Sequence, residues 1–425
     1  MRISTRSRRI ATCVLAASFA LGGASVFGQD FRFPVEIELG YRWTDISGNE
    51  DMYRTQINDR SGFLLRSLDY TSSEPLGGGL LDFFHIDASD IGAGPAGQFR
   101  LQAGAQDLYK FTFQWRETDH FSALPAFANP FLADGIIPGQ QTYDRTRKLY
   151  DATLELFPGK SISPMIQYTR STYKGPGRTT LHLGGDDFQL NDSVDSSDDL
   201  FRLGLSFQYG PVQGAVTQGW REFRWTRTRS LATGAGDGNV ATPILGRDVT
   251  ADEISSVEEN EAETPVTNVW VAGSFFGRLK LIGSYIKADG ESETRYEETD
   301  AGNFVGFEIA RFFAGLNEGI TSEAETDHWR GSLRAEFDIT PTIQATAGWA
   351  ERSRTLSGSA LIASLYLNTV TFGGGEAGDL LREIDARTAV ERDDIVLDIG
   401  VTARMLGPFS VNVGWSTLQQ EVTAT

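Results

Sequence analysis

Residues 108 to 117 read LYKFTFQWRE, with Tyr109, Phe111, Phe113 and Trp115 alternating with Lys110, Thr112, Gln114 and Arg116. A period of two puts alternate side chains on opposite faces of an extended strand, one apolar and one polar here. The pattern recurs elsewhere. Tyr150, Ala152, Leu154 and Leu156 alternate with Asp151, Thr153 and Glu155, and Phe201, Leu203, Leu205, Phe207 and Tyr209 with Arg202, Gly204, Ser206 and Gln208. Trp329, Gly331, Leu333, Ala335, Phe337 and Ile339 alternate with Arg330, Ser332, Arg334, Glu336 and Asp338, and Ile343, Ala345, Ala347 and Trp349 with Thr342, Gln344, Thr346 and Gly348. Two architectures produce this pattern: a sandwich with its apolar face in a core, and a membrane barrel with its apolar face in lipid and its polar face on a lumen.

Turns and lengths separate the two. Gly/Pro turns marked by Gly159, Gly210, Gly277, Pro341 and Gly407 follow at intervals of 51, 67, 64 and 66 residues, each between alternating runs, so each is the tip of a hairpin. The runs last about 10 to 12 residues, the length that a tilted strand needs to cross a bilayer, whereas globular strands average about 5 to 6. Between the hairpins lie Gly/Asp/Glu/Ser-rich stretches at 230–264, 296–324 and 357–387, which predict long loops on the rim opposite the short turns. That asymmetry belongs to outer-membrane barrels, whose long loops face outward. Aromatic residues near the run ends, among them Phe157, Tyr168, Tyr209, Trp220, Phe275, Phe276, Trp349 and Trp415, fit interfacial girdles.

The pattern predicts strands near 33–45, 51–72, 78–90, 97–105, 107–118, 140–157, 160–173, 195–209, 211–229, 265–276, 278–294, 325–339, 342–356, 388–405 and 408–423, with an apolar loop at 122–139. The fold class expected is therefore all-β, a transmembrane antiparallel up-and-down β-barrel with about 15 strands present. Single-chain bacterial barrels use even strand numbers, so an incomplete larger barrel lacking C-terminal strands is expected. Two irregularities predict bulges: Pro164 inside a strand, and the apolar phase that moves from Trp220 to Phe223 and Trp225.

Residues 1–28 carry four arginines, then an apolar stretch, then small residues, which predicts a cleaved secretory signal peptide and leaves 29–425 as one barrel domain. The apolar run at 10–21 is too short to span a bilayer as a helix, and no later segment is longer. The only cysteine, Cys13, lies in the leader, so the mature chain has no disulfide, thiol nucleophile or cysteine metal site. Removing the four leader arginines takes the net charge from −19 to −23, which excludes nucleic acid as the expected partner. The expected location is the bacterial outer membrane, with lipid as one partner.

Little in the chain points to catalysis. His85, His120, His182 and His328 are scattered, no CxxCH attaches haem, and the Asp119/His120 and Asp327/His328 neighbours point to opposite strand faces. No enzyme activity, metal or bound cofactor is expected of this chain. The glycines of GAGDGN (234–239) follow no strand-to-helix unit, so an outer loop is expected there. The acidic stretch NDSVDSSDD (191–199) lacks EF-hand spacing, and a solvated loop is expected in place of a calcium site. The candidate functional surface is the lumen: Lys110, Gln114, Arg116, Glu155, Arg202, Gln208, Arg330, Arg334 and Glu336 are expected to face it. Tyr109, Phe111, Phe113, Trp115, Leu203, Leu205, Phe207, Leu333, Phe337 and Trp349 are expected to face lipid. Charges of both signs in a hydrated interior suit a diffusion pore or a barrel that grips a protein plug.

One segment is more specific. ELGYRWTDISGNEDMYRTQINDRSGFLLRSLDYTSSE, residues 38–74, runs G-Y-R-W, then G-N-E-D-x-Y-R, then a glycine opening a Leu-rich strand. It resembles the N-terminal region of the decahaem-associated outer-membrane barrels of the MtrB/PioB type. The resemblance implies a porin-like sheath around a periplasmic multihaem c-type cytochrome, with haem present only through that partner. It covers under a tenth of the chain. Some members carry a CxxC near the mature N-terminus that is absent here, and family barrels have well over twenty strands. A general or substrate-selective porin is the alternative function.

Overall fold

The structure, a computed structural model, describes residues 35–72, 81–126, 137–238, 243–404 and 410–424. The leader, the loop core 127–136, the last residue of GAGDGN and the turn around Gly407 lie outside them. Fifteen strands form one antiparallel up-and-down sheet, each paired with its neighbours in sequence. They are β1 Val35–Arg42, β2 Gly62–Ser72, β3 Phe83–Gly92, β4 Ala96–Ala105, β5 Tyr109–Ala126, β6 Ile137–Leu156, β7 Ile162–Leu183 and β8 Asp186–Tyr209. Then follow β9 Val212–Leu231, β10 Thr250–Phe275, β11 Leu279–Gly306, β12 Arg311–Thr340, β13 Ile343–Thr371, β14 Ala377–Arg404 and β15 Ser410–Ala424. Among the described residues β1 and β15 are not paired with each other, so the sheet stays open.

The strands are far longer than the alternation predicts. β12 has 30 residues, which at about 3.3 Å per residue is roughly 100 Å. The stretches expected to be loops at 296–324 and 357–387 are continuations of β11 to β14, closed by tight turns at 307–310 and 372–376, and 250–264 belongs to β10. Only 232–249 is a long connection there. The reason is physical: over 291–299 both faces of the strand are polar, so the hydrophobic period vanishes while the hydrogen-bond ladder continues, and toward the tips Phe304, Phe313, Leu316 and Tyr366 follow a packed core in place of one continuous apolar face. Likewise 191–199 lies inside β8, not in a loop.

The strand expected over 51–72 begins instead with a helix, α1 (Glu50–Gln56). Asn49 caps it by accepting from the Met52 N–H at 3.0 Å, and Glu50 and Asp51 sit in its positive first turn. The short β3–β4 hairpin leaves the upper part of β5 without a partner on that side, and α1 covers that edge. There the Thr55 hydroxyl accepts from the Ala123 N–H at 3.2 Å. Arg54 lies 3.8 Å over the Phe121 ring and 2.7 Å from Asp144.

Neither expected bulge is present. The β7–β8 register passes through Pro164↔Leu205 unbroken, and β8–β9 runs unbroken from Leu190↔Leu231 to Tyr209↔Val212. Phe223 and Trp225 simply occupy the face opposite to Trp220.

The packed core sits at the end of the sheet away from the short turns. Phe188, Leu190, Val249, Ile254, Phe304, Phe313, Leu316 and Tyr366 are buried together, with Ile244 of the 232–249 connection packed against them. Because β9 stops at Leu231 and β10 starts at Thr250, the β7–β8 and β11–β12 hairpin tips close over this gap, and the Val305 N–H donates to the Gly184 carbonyl at 3.1 Å. A Cβ on Gly184, whose φ is +62°, would lie 2.7 Å from the Phe304 Cβ, so this approach requires glycine.

Candidate functional site

Directly opposed residues of neighbouring strands share a face, so the register carries each face across the sheet. Phe111 is opposite Leu154, Leu154 opposite Ile166, and Ile166 opposite Leu203. Leu205 leads through Val216, Val269 and Tyr285 to Gly331, two residues from Leu333, which is opposite Trp349. The register thus places Tyr109, Phe111, Phe113, Trp115, Leu203, Leu205, Phe207, Leu333, Phe337 and Trp349 on one face. Half of these ten, Leu203, Leu205, Leu333, Phe337 and Trp349, are exposed, and the others are half-buried.

The upper boundary of this apolar band is sharp. On the same face and two residues on, Trp115 gives way to Glu117, Tyr168 to Arg170, Phe201 to Asp199, Trp220 to Glu222, Trp329 to Asp327 and Trp349 to Glu351. The boundary does not follow the hydrogen-bonded rows. The row from Trp115 runs through Tyr150, Arg170, Asp199, Glu222, Glu263, Glu291 and Glu325 to Ser357, eight residues beyond Trp349 on the same strand. The drift is uneven from strand to strand; its average from β5 to β13, one residue or about 3.3 Å per interstrand spacing of about 4.8 Å, inclines the strands by roughly 35° to the normal of the band. From Trp329 to Ile339 the band is then about 27 Å tall, measured along that normal.

Lys110, Gln114, Arg116, Glu155, Arg202, Gln208, Arg330, Arg334 and Glu336 lie on the opposite face. Lys110 is directly opposite Glu155, and Gln114 opposite Asp151. Asp151 accepts from Gln167 at 3.0 Å and from Thr169 at 2.8 Å, and the Gln167 amide oxygen accepts from Arg202 at 3.2 Å. Glu336 accepts from Arg334 at 3.0 Å and lies 3.7 Å from Lys280. Arg116 faces Leu149, and Gln208 faces Gln213. These side chains are spread along the face and converge on no single point.

Above the band the polar face buries its charges. Asp192, 5 % exposed, takes Arg145 and Arg227 at 2.5 Å each. Burial, then Arg227, pushes the Arg229 guanidinium below its ordinary value. The other carboxylates of the acidic stretch are also paired: Asp198 with Arg221 at 2.7 Å on the polar face, and Asp195 with Lys174 at 2.8 Å and Asp199 with Arg170 at 3.5 Å on the face that carries the band. Asp300, 2 % exposed, is pushed up to about 9 by burial first and by Glu298 second. The Asp119 carboxylate beside His120 is held by Arg60 and Thr146 at 2.6 Å each, and the ring of His328 lies 3.2 Å from the Ser353 carbonyl. Among the described residues no group of three or more His, Cys, Asp or Glu side chains is placed to hold a metal ion.

The alternation missed four charged residues on the polar face, Arg352, Arg354, Arg392 and Asp394. The ERSRT of 351–355, with arginine at every second position, was the available signal.

No protein-family model and no curated protein matches the chain. Solved structures similar to it include two receptors for the uptake of ferric compounds. The ferric yersiniabactin uptake receptor FyuA from Yersinia pestis is 9 % identical with a TM-score of 0.37, covering 84 % of this chain and 70 % of that one. The ferric-catecholate import receptor Fiu from E. coli K12, in its open form, is 9 % identical with a TM-score of 0.27, covering 84 % and 71 %.

Proposed function

We propose that the chain is the wall of an outer-membrane β-barrel, exported by its leader, with the apolar face in lipid and the polar face on a lumen. The observation that carries this is the drift of the band. A strand tilt of roughly 35° and a band of about 27 Å match the 35–45° tilt and the apolar height of about 25 Å of outer-membrane barrels. A sandwich core has no reason to slant by eight residues across nine strands.

Within that class we propose a sheath for a periplasmic multihaem c-type cytochrome, so that electrons cross the outer membrane inside an insulating wall. Residues 38–74 support it through their resemblance to the MtrB/PioB barrels, and the tall polar wall above the band offers an elongated partner a hydrated surface. In this reading the chain does no chemistry and binds no cofactor; haem enters only with the partner.

One observation favours a porin. Fifteen strands at this tilt make a wall about 88 Å around, hence a bore of about 28 Å between backbones if they close alone, in the range where barrels keep an aqueous channel. Purification of the complete protein from outer membranes separates the two. Stoichiometric haem absorbance in the purified particle, with conductance in planar bilayers only after the haem protein is stripped, is the sheath outcome. Steady conductance with no haem protein attached overturns the sheath and leaves the porin.

A further inference from the structure

On the polar face of β12, β13 and β14, near the upper edge of the band, arginines oppose each other. Arg330 is directly opposite Arg352, and Arg354 directly opposite Arg392. Arg352 of the first pair and Arg354 of the second lie two residues apart on the same face of β13, so the four guanidiniums form one block. His328 is directly opposite Arg354 at its border.

Directly opposed strand residues have Cβ atoms about 5 Å apart, where like charges repel. The compensation is incomplete. Asp394, nearly fully buried, is approached by Arg352 and lies 3.0 Å from Arg392 through the same Oδ2. Arg330 and Arg354 have no ion-pair or hydrogen-bond partner among the described residues, and both are exposed. Four guanidiniums against one carboxylate leave a strongly positive block in a chain whose net charge is −19.

We propose that this block is an oxyanion site on the polar face, taking phosphate or carboxylate groups between the Arg330 and Arg354 forks. Guanidinium forks match both groups bidentately, and an anion between them removes the repulsion that the fold otherwise carries. The site goes beyond the proposed wall function and is indifferent to what fills the lumen. The anion is either free in solution or borne on the surface of an enclosed protein.

The test uses the full chain folded in detergent micelles, titrated with inorganic phosphate and, separately, with citrate, at ionic strength held constant with chloride. The expected result is a thermal midpoint that rises and saturates with phosphate. The Arg330→Gln/Arg354→Gln variant is expected to melt higher without phosphate and to show no saturable rise. Arg330→Lys/Arg354→Lys, which keeps the charge but not the forks, is expected to bind at least tenfold more weakly and serves if the glutamine variant does not fold. Arg116→Gln/Arg202→Gln, on the same face but elsewhere, is expected to respond as the wild type does. Citrate bound alone would place the ligand among carboxylates, whereas phosphate bound alone would place it among phosphates. A flat response of the wild type to both anions, or an equal response in the lysine variant, overturns the site.

Discussion

The ring of Phe188 on β8 meets that of Phe304 on β11 edge-on, with centroids 6.2 Å apart and planes at 85°. In the sheet these strands are separated by β9 and β10, so the contact joins two hairpin tips that no hydrogen-bond ladder connects. Phe304 also packs on Phe313, which in turn packs on Tyr366. Phe304→Ala is therefore expected to destabilise this packed core, a cap over the hairpin tips, by about 3 kcal/mol, the ordinary cost of emptying a core phenylalanine site. Amide exchange should accelerate over 184–190 and 304–316 while the band strands keep their protection. Equal acceleration throughout would show that cap and band open as one unit.

The apolar band makes a directional prediction. Leu333→Arg on β12 is expected to weaken folding into lipid vesicles by about 2–4 kcal/mol, since it puts a charge within the band on the face proposed to meet lipid. Glu325→Arg, on the same strand and face but above the band, should leave vesicle folding unchanged. Urea titrations of both variants in vesicles check it; equal effects would remove the boundary drawn at Trp329.

Asp192 holds Arg145 and Arg227 in a nearly closed site. Asp192→Ala leaves two partly buried guanidiniums without their carboxylate and is expected to cost about 3–5 kcal/mol. Asp195→Ala removes only an exposed pair with Lys174 and should cost under about 1 kcal/mol. Chemical denaturation of the two variants side by side measures the contrast.

Asp300 lies well above the band, and its carboxyl is held up at about 9 by burial and by Glu298. Its folded value is raised above the unfolded value of about 3.9. Its contribution to stability is therefore complete below about pH 4, declines as pH rises, and is spent above about pH 9. The protection factors of the cap amides, which remove the intrinsic pH dependence of exchange, should accordingly be higher at pH 5 than at pH 9.5. Asp300→Asn should flatten that dependence, and an unchanged slope in the variant would assign it to another group.

The alternation revealed the lower half of the sheet because one face there is apolar along every strand, so Phe201 to Tyr209 or Trp329 to Ile339 need no partner to be recognised. It could not reveal the upper half. In ESETRYEET, residues 291–299, both faces are polar, and only the pairing with β10 and β12 shows a strand. Helix α1 carried a local signal, Asn49 followed by Glu50 and Asp51, which the expected strand over 51–72 overrode. The arginine block was hidden for another reason: Arg330, Arg352 and Arg392 come from three strands, and only the register makes them neighbours.

The length of the strands sets an order of events. If the wall is an outer-membrane barrel, as proposed, and enters the bilayer from the side of its short turns, the hairpin tips lead. The acidic upper reaches of β10 to β14 must then pass the hydrocarbon before the residues between Trp329 and Ile339 can seat in it. Each hairpin would have to carry its charges through first and be anchored last, so its own hydrophobicity cannot draw it in. Assembly of such a wall therefore calls for a catalysed, threaded entry in which the polar ladder forms ahead of the greasy one.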